Sequence, residues 1–249
     1  AIATVAGNVV SAVYLLYYVL RKQKLFSLRP GDVSLTKDTV LPVLTLGMPL
    51  ACSTILMSCS TMLMNNVLVS YGSVTVAANG VAGKAGMLIS MLQMGICMGM
   101  QPAISYNCGA GAYTRMRRIV KHTGVLTVAT GTLLTCICFL CRQQFVTAFI
   151  DHAEVIALGQ KMIVASMLIG PFYGLYQLST TFLQATGKAG FATVVSLLDK
   201  GAVFIPMLYL LNALFGLDGV IYTAAVTDMI SILVGGALCL YWNKKLGES

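Results

Sequence analysis

Four ionisable side chains lie in the middle of long apolar segments, where a charge is energetically expensive. Lys84 lies near the centre of one segment, Asp199 and Lys200 near the centre of another, and Asp228 near the centre of a third. In a membrane interior each such charge costs at least about 2.5–3.5 kcal/mol unless it is paired or hydrated. Two interpretations stay open: Lys84 forms a buried pair with Asp199 or Asp228 that only stabilises helix packing, or the charges line a path for a solute or an ion.

The order Asp199–Lys200 adds a geometric expectation. Successive residues of an α-helix point about 100° apart, because the helix has 3.6 residues per turn. The two side chains are therefore not expected to face one partner, and one of them is expected to address a cavity.

Uncharged polar side chains in the neighbouring segments are further candidates to line a wet cavity beside Pro171. They are Asn65, Asn66, Tyr173, Tyr176 and Gln177. Hydrogen bonding between packed helices is the commoner role of such residues in membranes. The sequence contains no GxSxG, no phosphate-binding loop, no HExxH and no carboxylate pair suited to acid–base work, so no enzyme activity is predicted. The eight cysteines are interpreted as packing residues, and neither a metal site nor an organic cofactor is expected.

Composition identifies the solvent of these segments. Hydrophobic residues make up 57% of the 249 positions and charged residues 10%, and the mean hydropathy is +0.84. In soluble domains hydrophobic residues average about 45–50% and charged residues about 25%. About 20 apolar residues in a helix cross a hydrocarbon layer of about 30 Å. Seven runs reach that length, near 1–20, 40–69, 75–101, 118–141, 155–184, 190–211 and 217–242. None alternates as barrel strands do, so we predict an all-α polytopic membrane protein with seven transmembrane helices.

The distribution of basic residues predicts the orientation. Twelve of the 16 lysines and arginines fall on alternate connections: Arg21, Lys22, Lys24, Arg29, Lys37, Arg115, Arg117, Arg118, Lys121, Lys188, Lys244 and Lys245. The opposite connections are nearly free of them, apart from Arg142. The positive-inside rule then predicts a multi-pass protein of the inner (plasma) membrane with a cytoplasmic C-terminus. The net charge of +8 is interpreted as this topology signal, and no nucleic-acid partner is expected.

The first apolar run is not interpreted as a secretory signal. Its positive charges follow the apolar residues, whereas a signal peptide carries them in front. Because the run begins at residue 1, we expect the chain to be the rear part of a longer polytopic protein.

Two glycine-containing turns share a pattern of Gln followed by Gly. They are GMQPAISYNCGAG at 99–111 and FLQATGKAG at 182–190. Internal repeats of this kind are common in secondary transporters. Together with AIATV at the start and SLLDKGAVFIPMLYLLNALFGLDGVIYTAAVTDMIS at 196–231, these motifs resemble the multidrug and toxic compound extrusion (MATE) transporters of the bacterial branch.

The resemblance spans the whole chain and implies an organisation. It matches the sixth to twelfth helices of a family in which two six-helix lobes enclose a central cavity. Residues 1–20 would be the last helix of the N-lobe, 21–39 a basic cytoplasmic linker, and 40–249 the six-helix C-lobe. The resemblance also implies the partners: the missing N-lobe, the lipid bilayer, and amphipathic, often cationic, small molecules exported by alternating access in exchange for a cation.

The coupling acids implied by the resemblance are present only in part. Some members of the family bind a cation through carboxylates on the seventh and tenth helices, but the corresponding runs 40–69 and 155–184 contain no Asp. A sodium site of that design is not expected. Coupling to H⁺ or Na⁺ would depend on an acid in the missing N-lobe, or on Asp199 and Asp228. Asp228 matches a recurrent acid of the twelfth helix, whereas the position of Asp199 often carries Arg.

Three functions follow from these features. The first is the C-terminal half of a cation-coupled multidrug efflux antiporter. The second is a flippase for lipid-linked oligosaccharides from the same superfamily, which favours a more cationic cavity than Lys84 and Lys200 supply. The third is a receptor or scaffold of the membrane without a transport cycle.

Overall fold

The computed structural model describes residues 2–22, 36–150 and 153–246, and these residues form helices without a strand. The chain divides into two compact units, residues 1–47 and 48–249, which are described separately. The predicted linker at 21–39 lies largely outside the described residues, so the domain boundaries stay a prediction. The helices are α1 Ile2–Lys22, α2 Lys37–Val69, α3 Ser73–Gly109, α4 Tyr113–Leu140, α5 Arg142–Thr147, α6 Ala153–Met167, α7 Gly170–Ala185, α8 Ala189–Leu197, α9 Phe204–Phe215 and α10 Leu217–Lys245.

The predicted membrane spans are largely present. Among the described residues, five helical stretches are long and apolar enough to cross a membrane, and the bent pair α6–α7 makes a sixth. The first predicted span contains a shorter apolar helix, Val5–Val19. The prediction of an all-α polytopic membrane protein is confirmed.

The fifth predicted run, 155–184, is broken into two helices that meet at an angle of 48°. The break comes immediately before Pro171, which cannot donate a backbone hydrogen bond and whose ring crowds the preceding turn. The buried side chain of Gln93 on α3 supports the break by donating from Nε2 to the carbonyl of Gly170 at 3.0 Å. A Cβ atom at Gly131 on α4 would lie 2.9 Å from the backbone carbonyl oxygen of Gly170 and would also meet that Nε2, so this approach of three helices requires glycine.

The sixth predicted run, 190–211, is α8 and α9 joined by a π-helical turn at Leu198–Ala202. The backbone N–H of Val203 donates to the carbonyl of Leu198, five residues earlier, at 3.0 Å. Pro206 follows the turn, and it interrupts the regular hydrogen-bond pattern there because it cannot donate to the carbonyl of Ala202 and its ring would clash with that group. The turn packs against α2, where the hydroxyl of Ser60 donates to the carbonyl of Lys200.

Contacts between the connections define the two ends of the helical bundle in residues 48–246. At one end the hydroxyl of Tyr71 donates to Oδ1 of Asn212 at 2.7 Å, which joins the α2–α3 turn to the end of α9. At the other end the Arg117 guanidinium on α4 donates to the carbonyl of Asn243 on α10 at 2.7 Å. The α3–α4 turn, the α7–α8 turn and the end of α10 meet at this second end of the bundle. We call it the basic end.

Candidate functional site

Three of the predicted charges form one cluster at the π turn. The Lys200 ammonium lies 2.7 Å from Oδ2 of Asp199 and 3.7 Å from Oδ1 of Asp228. The Asp199 side chain is only 1% exposed, whereas Lys200 is 29% and Asp228 21% exposed. One lysine therefore bridges an inaccessible carboxylate on its own helix and an accessible carboxylate on α10.

Asp199 and Lys200 pair with each other, and of the two Lys200 lines the cavity, as the sequence predicts for one of them. The pairing of two successive residues was not predicted, because the prediction assumed regular α-helical geometry, whereas both residues lie in the π turn. A π turn places more residues in each turn than an α-helix, so successive side chains diverge less. Such turns occur frequently at functional sites.

A cavity of about 230 Å³ opens beside this cluster. It lies between α3, the α6–α7 break, the π turn and α10. Its walls are Gly86, Ile89, Ser90, Ser166, Ile169, Gly170, Tyr173, Lys200, Ala224, Ala225 and Asp228. The cavity combines two charged groups and three hydroxyl-bearing side chains with an apolar wall, which is the usual composition of a small-molecule site.

Lys84 does not belong to the cluster. Its side chain is exposed, and within the described part of the chain it forms no ion pair, so the predicted pairing with Asp199 or Asp228 is not formed. Lys84 lies two residues before Gly86, which faces the cavity, so at about 100° per residue it points roughly 160° away from the cavity wall. Lys200, rather than Lys84, is the cation that pairs with Asp199 and Asp228.

The polar candidates are divided between the cavity and its surroundings. Tyr173 lines the cavity, and its ring centroid lies 5.6 Å from that of the buried Tyr176. Asn65 and Gln177 are half-buried and Asn66 is exposed, and all three lie outside the cavity wall. A role in a pathway for these three residues stays a prediction.

Sequence reasoning missed several residues that shape the site. Ser90 and Ser166 line the cavity, and Ser60 supports the π turn that positions Lys200. The sequence carries no signal for Ser60, because a serine in an apolar helix can instead bond to its own backbone. Ser58, two residues earlier, does so by donating to the carbonyl of Thr54 at 3.0 Å.

The charges of the cluster determine what it can bind. With all three groups ionised, two carboxylates and one ammonium leave a net charge of −1 beside the cavity. The accessible carboxylate, Asp228, carries this surplus, because Lys200 is closer to Asp199. The cluster is therefore suited to one additional proton or cation.

Comparison with known proteins identifies the family of this chain. The MatE family model matches residues 49–210, which is more than half of the chain. The chain belongs to the MatE family. The match includes Asp199 and Lys200, whereas Asp228 on α10 lies beyond it.

Relatives of this MatE chain are multidrug export proteins. It is 29% identical over 233 residues to multidrug export protein MepA of Staphylococcus saprophyticus, a match that covers 94% of this chain and 51% of the relative. It is 28% identical over 240 residues to MepA of Staphylococcus aureus strain NCTC 8325, with the same two coverages. The chain thus spans about half the length of the curated relatives it matches.

Solved structures show the same fold. The outward-facing conformation of a multidrug resistance MATE family transporter of the MOP superfamily matches with a TM-score of 0.84 at 16% identity, over 97% of this MatE chain and 55% of the other. The Vibrio cholerae MATE transporter VcmN in its bent form matches with a TM-score of 0.80 at 19% identity, over the same shares. The helical membrane fold implied by the sequence resemblance is confirmed.

Proposed function

We propose that this chain forms the C-terminal lobe of a cation-coupled multidrug antiporter in the plasma membrane. The observation that carries the proposal is the Asp199–Lys200–Asp228 cluster, with its net charge of −1, at a cavity between a broken helix and a π turn. Binding sites of secondary transporters are commonly formed where membrane helices are interrupted. The names of the relatives, which are multidrug export proteins, support the same function.

The surplus charge provides a way to couple two cations. A proton or a sodium ion at Asp228 neutralises the cluster, and so does the positive group of a bound drug. Because one carboxylate cannot be neutralised twice, the two ligands compete. Competition of this kind, with the cavity open to one side at a time, exchanges an entering cation for a departing drug. The substrates are amphipathic cations, whose apolar parts would contact Ile89, Ile169 and Ala225.

The flippase function is less well supported by the same geometry. A lipid-linked sugar presents a phosphate, which requires unpaired cationic groups. Lys200 is the lysine at the cavity wall among the described residues, and two carboxylates already face it. Lys84 points away from the cavity. We therefore favour a cationic substrate.

The proposed activity requires the second lobe, because alternating access is a movement of one lobe against the other around the site. Cells that produce the complete transporter carrying these residues are expected to accumulate less ethidium than control cells. Cells that produce only residues 1–249 are expected to insert the chain in the membrane without lowering ethidium accumulation. Efflux by residues 1–249 alone would overturn the two-lobe proposal, and a complete transporter without any drug efflux would overturn the antiporter function.

We propose that the basic end faces the cytoplasm, as the positive-inside rule predicts. In a background without native cysteines, a thiol label that cannot cross membranes should reach a cysteine at Gly72 or Leu214 in intact cells. A cysteine at Thr114, next to the basic end, should be labelled only after permeabilisation. Labelling at Thr114 in intact cells would show the opposite orientation.

A further inference from the structure

The basic end of the bundle carries an unbalanced positive charge. Within residues 48–150 and 153–246, seven cationic side chains and no carboxylate lie at this end: Arg115, Arg117, Arg118, Lys121, Lys188, Lys244 and Lys245. At the opposite end cations and acids occur together, and Lys161 pairs with Asp218 at 2.5 Å. Within residues 48–150 and 153–246, therefore, no carboxylate balances the positive charge of the basic end.

Two arginines of this end line a surface recess of about 370 Å³. Its walls come from the α3–α4 turn and include Tyr113, Thr114, Arg115 and Arg117. Arg117 is held in place by donating from Nη2 to the carbonyl of Asn243 at 2.7 Å and from Nε to its Oδ1 at 3.3 Å. The contact joins the recess to the last turn of α10.

The neighbouring residue on that turn, Trp242, makes cation–π contacts with two lysines. The Nζ atoms of Lys188 and Lys245 lie 4.4 Å and 5.1 Å from the centroid of its ring. An anion near these two ammonium groups would be attracted by both of them. The indole Nε1–H of Trp242 is buried without an acceptor among the described residues. Among the described residues neither ammonium group forms an ion pair.

The position of the site indicates the kind of anion. Trp242, together with Phe191 and Tyr241 at ring distances of 5.4 Å and 5.5 Å, forms an aromatic cluster at the end of the membrane-spanning helices. Tryptophan and tyrosine concentrate at the level of the lipid headgroups, and clusters of about four to eight lysines and arginines beside membrane helices bind anionic lipids. A phospholipid phosphate would reach the ammonium groups at that level.

We propose that the basic end is a binding site for anionic phospholipids, with headgroup phosphates attracted to Lys188 and Lys245 and to the arginines of the recess. The proposal does not depend on the transport function, because it concerns the outer surface of the lobe. It predicts that the lobe selects anionic over zwitterionic lipids at one end only.

Trp242 makes this site directly observable, because it is the single tryptophan of the chain. Residues 1–249 are reconstituted in vesicles of phosphatidylglycerol and phosphatidylcholine, in which one lipid at a time carries bromine near the headgroup end of its acyl chains. Bromine quenches tryptophan fluorescence at short range. Brominated phosphatidylglycerol is expected to quench Trp242 more strongly than brominated phosphatidylcholine at equal mole fraction. Equal quenching by the two lipids would overturn the proposal.

Charge removal tests which residues select the lipid. One lysine near an anionic surface contributes about a fivefold preference. The double variant Lys188→Gln/Lys245→Gln is therefore expected to lower the quenching ratio by up to about fivefold per lysine. The matched control Arg142→Gln/Lys161→Gln removes the same charge from the opposite end and is expected to keep the ratio. An unchanged ratio in the first variant, or an equal loss in the control, would overturn the assignment.

Further measurements distinguish lipid selection from misfolding of the variant and from binding of a soluble anion. Lys188→Arg/Lys245→Arg keeps both charges and is expected to keep the ratio, and in wild type a rise to about 1 M NaCl is expected to reduce it through screening. A salt-independent ratio would contradict an electrostatic site. Loss of the preference in millimolar inorganic phosphate at constant ionic strength would show a free-anion site and overturn the lipid proposal.

Discussion

Asp228→Asn in the complete transporter is expected to abolish drug efflux, or to shift its pH dependence, while the amount of inserted protein stays near wild type. The substitution removes the surplus negative charge of the cluster and leaves the Asp199–Lys200 pair, 2.7 Å apart, in place. Because Lys200 keeps a partner, no uncompensated charge is created and folding is expected to persist. The measurement is ethidium efflux across the neutral pH range, together with the quantity of transporter in the membrane.

Asp218→Asn is the matched control on the same helix. Asp218 also pairs with a lysine, Lys161, but its side chain is 57% exposed, and exposed pairs contribute only about 0–1 kcal/mol. This variant is expected to export drug like wild type. Normal efflux by Asp228→Asn at every pH would contradict the role of the cluster and leave coupling to the N-lobe.

Asp199→Asn probes the inaccessible member of the cluster. Asp199 is almost completely buried, so its charge acts on the cavity through Lys200 rather than by contact with a substrate. In this variant Lys200 would retain Asp228 as its partner, and the cluster would become neutral. We expect reduced efflux here as well, with the protein still inserted.

Gly219→Ala is expected to cause the largest loss of stability of any single methyl addition to α10. A Cβ atom at Gly219 would lie 1.9 Å from the carbonyl oxygen and 2.5 Å from the carbonyl carbon of Leu211 on α9. These are backbone atoms, so the two helices must move apart. Overpacking of this kind costs about 1–3 kcal/mol and occasionally more. The midpoint of thermal aggregation in detergent should fall clearly below that of wild type.

Gly236→Ala provides the control on the same helix. No atom lies within 4 Å of a Cβ added at Gly236, so the extra methyl group meets open space. Alanine favours a helix by up to about 1 kcal/mol over glycine, so this variant is expected to be as stable as wild type or more so. Equal loss in both variants would show that α9 and α10 are not packed as described.

The helical membrane architecture could be predicted from the sequence alone, because it depends on composition and length. A run of apolar residues must satisfy its own backbone groups in lipid, and a helix does so without any partner. The apolar runs therefore predicted the helices, and the lysines and arginines predicted which connections share an end. The motifs at 99–111, 182–190 and 196–231 also indicated the family correctly.

The candidate site depended on tertiary structure. Asp199, Lys200 and Asp228 were all identified from their position in apolar runs, but their pairing was not, because regular helical geometry was assumed at a π turn. The turn lies next to a local helix breaker, Pro206, and accepts a hydrogen bond from the Ser60 hydroxyl on α2, a contact that only the fold creates. The same holds for Lys84, which has the sequence features of a buried charge but lies on the face of α3 opposite the cavity. A pairing energy depends on distances between helices, and those distances are determined by packing rather than by the order of residues in any one helix.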